Sequence, residues 1–145
     1  MKKIRMKIFE TNSSSVHSLV IAKDMLEDSY LKIYKDEKIH IKPLYFSEDI
    51  PFISTQEEKL AYLITQVCYR NNISNPSDIE DDYEFGIISD AICKYTGAKG
   101  IKVLRGEAYL NHKVVDDGYI CDIYCKDSLL SFVFGKGVMV KQWQD

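Results

Sequence analysis

The sequence predicts a single α+β domain spanning residues 1–145. In it, a mixed or antiparallel sheet from N- and C-terminal strands packs against two central helices and a short C-terminal helix. Period-two hydrophobic patterns occupy the first and last thirds of the chain, whereas a 3.6-residue pattern occupies the middle. Strands and helices do not alternate as in a βαβ repeat, which favours the α+β class. The 145 residues, 46% of them apolar, suffice for one core.

Strands are predicted in the first third. Apolar and basic residues alternate over residues 3–8, the pattern of a half-buried strand with a basic outer face. A polar stretch, 10–15, interrupts this strand, and residues 16–22 predict a second strand that is apolar on both sides around Leu19, Val20 and Ile21. Residues 31–42 predict a hairpin that turns at 35–37.

The first central helix is predicted from a capping box and an apolar stripe. Ser54 and Glu57 have the spacing of the box, and Asn71 follows the last periodic residue. The expected apolar face comprises Leu60, Leu63, Ile64, Val67 and Cys68. The expected solvent face comprises Glu57, Lys59, Gln66 and Arg70.

The second central helix is predicted over residues 76–95. Asn75 suits the N-cap position, Pro76 suits the first helical position, and Gly97 suits the end. Gly86 is a weak helix former, so the alternative is two shorter helices that meet there.

The last third returns to strands. Residues 100–104 and 119–125 are candidate strands, and Asp127 is a candidate cap for a short helix over 128–134. Residues 138–140 predict a final strand.

The overall charge argues against non-specific nucleic-acid binding. Lys and Arg number 19 and Asp and Glu number 22, which leaves a formal net charge of −3. Affinity for phosphate requires a basic surface, which this balance does not supply. We therefore expect no direct non-specific binding to nucleic acid.

We expect a cytoplasmic protein with no membrane contact. The basic N-terminus lacks the apolar segment of a signal peptide, and the longest aliphatic run, 19–22, is far too short to span a bilayer. The four cysteines are dispersed among apolar residues, as is typical of reduced core thiols. No phosphate-binding glycine loop, EF-hand or zinc spacing occurs, so neither a cofactor nor a metal site is expected.

A polar motif between the first two predicted strands is the main candidate ligand-binding or partner-binding site. Its members are Thr11, Asn12, Ser13, Ser14, Ser15, His17 and Ser18. These side chains can donate several hydrogen bonds to one anion, or they can close a turn on its own backbone. We expect binding rather than catalysis. If the protein is an enzyme, His17 is the candidate base and Ser13, Ser14 and Ser15 are the candidate nucleophiles.

The motif also supports a family resemblance. Residues 9–18 resemble the N-terminal Phe-Glu-Thr-Asn-Ser-Ser-Ser-x-His-Ser motif of small proteins from bacteriophages, prophages and their Gram-positive hosts, with Val16 at the variable position. The resemblance implies a mobile-element protein that works inside a bacterium. Small phage proteins of this kind often bind host machinery, including defence systems, so the resemblance implies a host protein or a protein–nucleic-acid complex as the partner.

An acidic run in the second helix is the other candidate interaction site. It comprises Asp78, Glu80, Asp81, Asp82 and Glu84, with Tyr83 among them. The ordinary explanation is a solvated face, and the functional one is a patch that steers a basic partner. Tyr83 is expected to be exposed and to anchor the contact.

Three functions follow from these features. The first is a phage- or prophage-encoded interaction protein that inhibits or redirects a host factor, for example in an anti-defence (anti-CRISPR-like) role. The second is an enzyme or sequestering binder that holds a phosphate-bearing small molecule at Thr11–Ser18. The third is a structural or virion-associated protein.

Overall fold

The chain combines helices and strands, which confirms the α+β class. The computed structural model describes residues 8–11, 16–17, 25–43, 52–106 and 118–142. Its strands are β1 (Ile8–Thr11), β2 (Val16–His17), β3 (Lys38–Ile41), β4 (Phe52–Ile53), β5 (Gly100–Val103) and β6 (Met139–Gln142). Its helices are α1 (Gln56–Arg70), a 3-10 helix (Pro76–Asp81), α2 (Tyr83–Thr96) and α3 (Lys126–Phe134).

The four-stranded sheet is mixed and joins both ends of the chain, as expected. Its order is β2-β1-β6-β4. The β1–β6 pair is parallel, whereas β2 and β4 are antiparallel to their neighbours. The polar stretch was expected to begin at Glu10, but β1 continues to Thr11 because Glu10 and Thr11 pair with both β2 and β6.

A second, two-stranded sheet was not anticipated. β3 and β5 are parallel, with Ile39 opposite Ile101 and Ile41 opposite Val103. The predicted hairpin is present as an isolated Ile33–Ile39 bridge, and its turn is closed by a 2.8 Å hydrogen bond from the Glu37 N–H to the Tyr34 carbonyl.

α1 begins one residue later than the sequence suggested. The capping box uses Thr55 and Glu58 instead of Ser54 and Glu57: the Glu58 N–H donates to the Thr55 hydroxyl, and the Thr55 N–H donates back to the Glu58 carboxylate. Asn71 is the C-cap, as predicted.

The core forms around α1, which contacts α2, α3, β3 and the 3-10 helix. All five residues of its predicted apolar face are buried. The predicted solvent face is wrong at Lys59 and Gln66, which are 2% and 0% exposed, because α1 is covered on more than one side. Gln66 meets the cost of burial with hydrogen bonds to the Gly118 carbonyl and the Ile120 N–H, both 3.1 Å.

The second central helix is interrupted, but not at Gly86. Asn75 caps the 3-10 helix and Pro76 is its first residue, as predicted, yet the chain becomes extended at Asp82. A new N-cap forms there, and α2 runs through Gly86 to a left-handed Gly97 with φ 86°. The helix is therefore interrupted at the capping residue Asp82 and not at Gly86.

Residues 119–125 are not a strand. The Tyr124 N–H donates to the Asp122 carboxylate and the Cys125 N–H donates to the Asp122 carbonyl, which folds the segment into a turn. α3 then begins at Lys126 with Cys125 as its N-cap, so Asp127 lies in the first helical turn and does not cap it.

Candidate functional site

The acidic run is divided between two elements. Asp78, Glu80 and Asp81 belong to the 3-10 helix, whose Pro76 and Ile79 are buried. Residues three apart in a 3-10 helix lie on one side, so Asp78 and Asp81 share a face away from the core. All three carboxylates are exposed, and none forms a salt bridge with another described residue.

Asp82 holds the start of α2. Its carboxylate accepts a 2.8 Å hydrogen bond from the Phe85 N–H and a 2.9 Å hydrogen bond from the Asn71 amide. The first bond caps α2, and the second ties α2 to the C-cap residue of α1. The Asp82 carboxylate is half-exposed, and its two hydrogen bonds hold the start of α2 against the end of α1.

Glu84 is the centre of a hydrogen-bond network. Its carboxylate accepts from the Asn71 amide at 3.0 Å and from the hydroxyls of Tyr119 and Tyr124, both at 2.7 Å. Burial alone would raise the pKa of Glu84, but the three donors, together with nearby Arg70, hold it below its ordinary value. The site therefore favours an ionised Glu84.

The two tyrosines remain donors across the physiological range. Burial and the hydrogen bond to Glu84 raise the pKa of Tyr119, and the hydrogen bond to Glu84 raises the pKa of Tyr124. The Arg70 guanidinium lies over the Tyr119 ring, 4.9 Å from its centroid, and adds a cation–π contact. The network thus links α1, α2 and the turn that precedes α3.

Two tyrosine rings project beside the carboxylates. Tyr83 is 76% exposed, as predicted, and Tyr124 is 61% exposed. The hydroxyl of Tyr124 is held by its 2.7 Å hydrogen bond to Glu84. Exposed tyrosines at fixed positions are characteristic of interaction surfaces, since a rigid ring buries much area at a low entropic cost. We call this set the acidic–aromatic surface: Asp78, Glu80, Asp81, Asp82, Tyr83, Glu84 and Tyr124.

Sequence reasoning missed part of this surface. The sequence pattern predicts a strand for Tyr119 and Tyr124, and it predicts only the end of a helix at Asn71. Nothing in the local pattern links these residues to Glu84, which is 35 and 40 positions from the two tyrosines and 13 from Asn71.

The polar motif is only partly placed. Thr11 ends β1 and pairs with Val16, while His17 in β2 pairs with Glu10. Asn12, Ser13, Ser14, Ser15 and Ser18 lie outside the described residues. The structure therefore does not test the motif as a ligand site, and the phosphate-binding hypothesis for Thr11–Ser18 stays a prediction.

The described residues contain neither a membrane span nor a metal cluster. None of the helices there combines the length and apolar character needed to cross a bilayer. No group of three or more His, Cys, Asp or Glu side chains in that part of the chain is arranged to hold a metal ion.

The fold and the acidic–aromatic surface together define an α+β protein with a charged, tyrosine-flanked face. In comparisons with known proteins, the chain matches no family model, no curated protein and no solved structure.

Proposed function

We propose that this protein is a binding protein whose acidic–aromatic surface contacts a basic surface of a macromolecular partner. In keeping with the resemblance of residues 9–18, the proposed setting is a phage or prophage protein in the bacterial cytoplasm. Its partner would be a host factor, such as a component of a defence system, which it inhibits or redirects without catalysis.

The supporting observation is the combination of exposed carboxylates with exposed tyrosine rings. Asp78, Glu80 and Asp81 are exposed, and no other described residue neutralises them. Tyr83 follows them along the chain and is exposed, and the exposed Tyr124 is held by Glu84. The carboxylates would accelerate encounter with a basic partner, and the rings would provide the buried contact area.

Photo-crosslinking tests this proposal with a matched control. A photoreactive phenylalanine analogue is placed at Tyr83 in one protein and at Tyr30 in another, because the two rings are 76% and 74% exposed. The Tyr30 N–H bonds to Gln56 at the start of α1, whereas the Tyr83 region bonds to Asn71 at its end. The two probes thus lie near opposite ends of a helix about 22 Å long.

We expect one bacterial protein to crosslink at position 83 and not at position 30. The interaction with that purified protein should then weaken with salt and slow on Asp81→Lys substitution, but not on substitution of the exposed Asp90 to Lys. Equal crosslinking at both positions, or salt-independent binding, would contradict the assignment of this surface.

A further inference from the structure

The two-stranded sheet has a polar outer side. Ile39, Ile41, Ile101 and Val103 are buried on its inner side. Since successive strand residues point to opposite sides, Lys38, His40 and Lys102 lie on the outer side. The pairing places His40 directly opposite Lys102 and Lys38 opposite Gly100.

Lysine side chains lie along this outer side. A Cβ added to Gly100 would be 3.5 Å from Cε of Lys38, and one added to Gly106 would be 3.3 Å from Cε of Lys42. The aliphatic parts of both lysines therefore run over backbone that carries no side chain. Glycine at these positions leaves room for the two lysine stems.

An aromatic layer stands beside the lysines. The rings of Tyr34 and His40 are stacked, with centroids 4.1 Å apart and planes 10° apart. The Lys32 ammonium lies 4.6 Å from the Tyr34 centroid, and Asp36 fixes His40 through a 2.8 Å contact at Nε2. These residues line an open cavity of about 510 Å³ together with Ile33, which is 42% exposed.

Positive charge is concentrated here although the chain is acidic. Residues 32–42 and 99–106 contain seven Lys and Arg and only two carboxylates, Asp36 and Glu37. Among the described residues both carboxylates are paired, Asp36 with His40 and Glu37 with Lys99 at 3.0 Å. Six cations remain without an ion pair in the described part of the chain, namely Lys32, Lys35, Lys38, Lys42, Lys102 and Arg105.

We propose that this basic face, the outer side of β3–β5 with Tyr34 and His40, binds single-stranded nucleic acid. Lys38, Lys42, Lys102 and Arg105 contact consecutive phosphates, and one base stacks on the Tyr34 ring in place of the flexible Lys32 ammonium. A groove of cations with an exposed aromatic ring is the arrangement that binds single strands without reading sequence. The net charge of −3 does not reveal this basic face, because the sum also includes the carboxylates of the 3-10 helix and α2.

Fluorescence anisotropy on the full chain tests the proposal. The probes are fluorescein-labelled 20-nucleotide oligo(dT) and oligo(U), titrated between about 25 and 200 mM salt. Four phosphate contacts should give a log–log salt slope of about −3, since each contributes about −0.7 on single strands. Tyr34→Ala should weaken binding roughly 5- to 150-fold, the loss expected for one stacked base.

Two matched controls keep the outcome decisive. Tyr30→Ala removes a ring that is more exposed than Tyr34, 74% against 39%, and should leave the affinity unchanged. Lys102→Gln, a change at an exposed position that does not threaten the fold, should weaken binding several-fold, whereas Lys94→Gln on α2 should not.

Three results would overturn the proposal. One is the absence of binding by micromolar protein at the lowest salt. Another is unaltered affinity in both Tyr34→Ala and Lys102→Gln. The third is binding of a duplex or of heparin as tight as that of the single strands, which would show a general polyanion surface without base stacking.

Discussion

Lys59 and Glu84 are ionisable side chains near opposite ends of α1, and both are at least partly buried. They differ in the number of hydrogen bonds that the protein offers them. Glu84 is half-buried and accepts hydrogen bonds from Asn71, Tyr119 and Tyr124. Lys59 is 2% exposed, and among the described residues its ammonium donates one hydrogen bond, to the Val138 carbonyl at 3.1 Å.

The pKa values show the difference. Burial lowers the pKa of Lys59 from 10.5 to about 8, although nearby Glu27 partly opposes this shift. The pKa of Glu84 is also lowered, but for an acid a lower pKa means that the fold favours the charged form. The comparison teaches that hydrogen-bond donors and acceptors around a charge, rather than burial alone, decide whether the fold supports it.

The largest expected effect comes from Lys59→Met. Between pH 8 and 10.5 the folded protein binds fewer protons at Lys59 than the unfolded chain does, so the free energy of unfolding rises with pH. Methionine lacks this ionisation, so wild-type protein should gain about 2–3 kcal/mol relative to Lys59→Met between pH 7 and pH 10. At pH 7 the variant should be as stable as wild type or more so. Urea unfolding at several pH values measures both quantities.

Lys94→Met serves as the control, because Lys94 is exposed on α2. It should show no such change relative to wild type. If the Lys59→Met and wild-type stability curves run parallel across this pH window, the ammonium is not disfavoured by the fold and the contrast with Glu84 disappears.

Glu84→Gln should cause the next largest effect, a loss of about 2 kcal/mol in unfolding free energy at pH 7. The amide replaces a charged acceptor of three hydrogen bonds. Since the folded-state pKa of Glu84 lies below 4.5, its stabilisation is complete above that pH and is lost as the pH falls through the folded value. Chemical unfolding between pH 3 and 7 should show the gap closing in acid.

Glu80→Gln provides the comparison for that measurement. Glu80 lies four positions earlier and is exposed. Its substitution should change stability by less than about 0.5 kcal/mol at any of these pH values. Equal losses at the two positions would mean that the network around Glu84 contributes nothing specific.

Asp82→Ala should cost about 1 kcal/mol, the usual value of an N-cap, because the Phe85 N–H loses its acceptor. Asp82→Ser retains a capping oxygen and should recover most of the loss. Thermal unfolding compares the three proteins, and a serine variant no more stable than alanine would argue against capping as the cause.

The smallest stability effect is expected from combined substitution of Asp78→Asn, Glu80→Gln and Asp81→Asn. These exposed carboxylates hold no described part of the fold, so stability should change by less than about 0.5 kcal/mol. Stopped-flow association with the crosslinked partner should nevertheless slow and lose salt dependence. A marked loss of stability would show that the two halves of the acidic run do not differ in role.

Sequence periodicity predicts where the two central helices lie and which residues form the apolar face of α1. The apolar stripe of α1, the Asn71 and Gly97 ends and the Asn75–Pro76 start all appear in the structure. These features depend on neighbours within a few residues, which is why a local pattern predicts them.

The candidate site required contacts that no local pattern contains. Lys59 and Gln66 have polar side chains and were placed in solvent, but packing around α1 buries both. The Glu84 network depends on Tyr119 and Tyr124, which lie in a turn. The alternation of apolar residues in that segment predicts a strand instead. The basic face arises only when the parallel pairing brings Lys102 beside His40.

The strand order of the larger sheet has a consequence for how the chain folds. β6 lies between β1 and β4, so neither β1 nor β4 has its central neighbour until residues 139–142 pair with it. Such distant pairing is slow, because a long loop must close before any contact compensates for its entropy. On a ribosome, α1 and α2 can therefore form early, while this sheet waits for residues 139–142 to emerge.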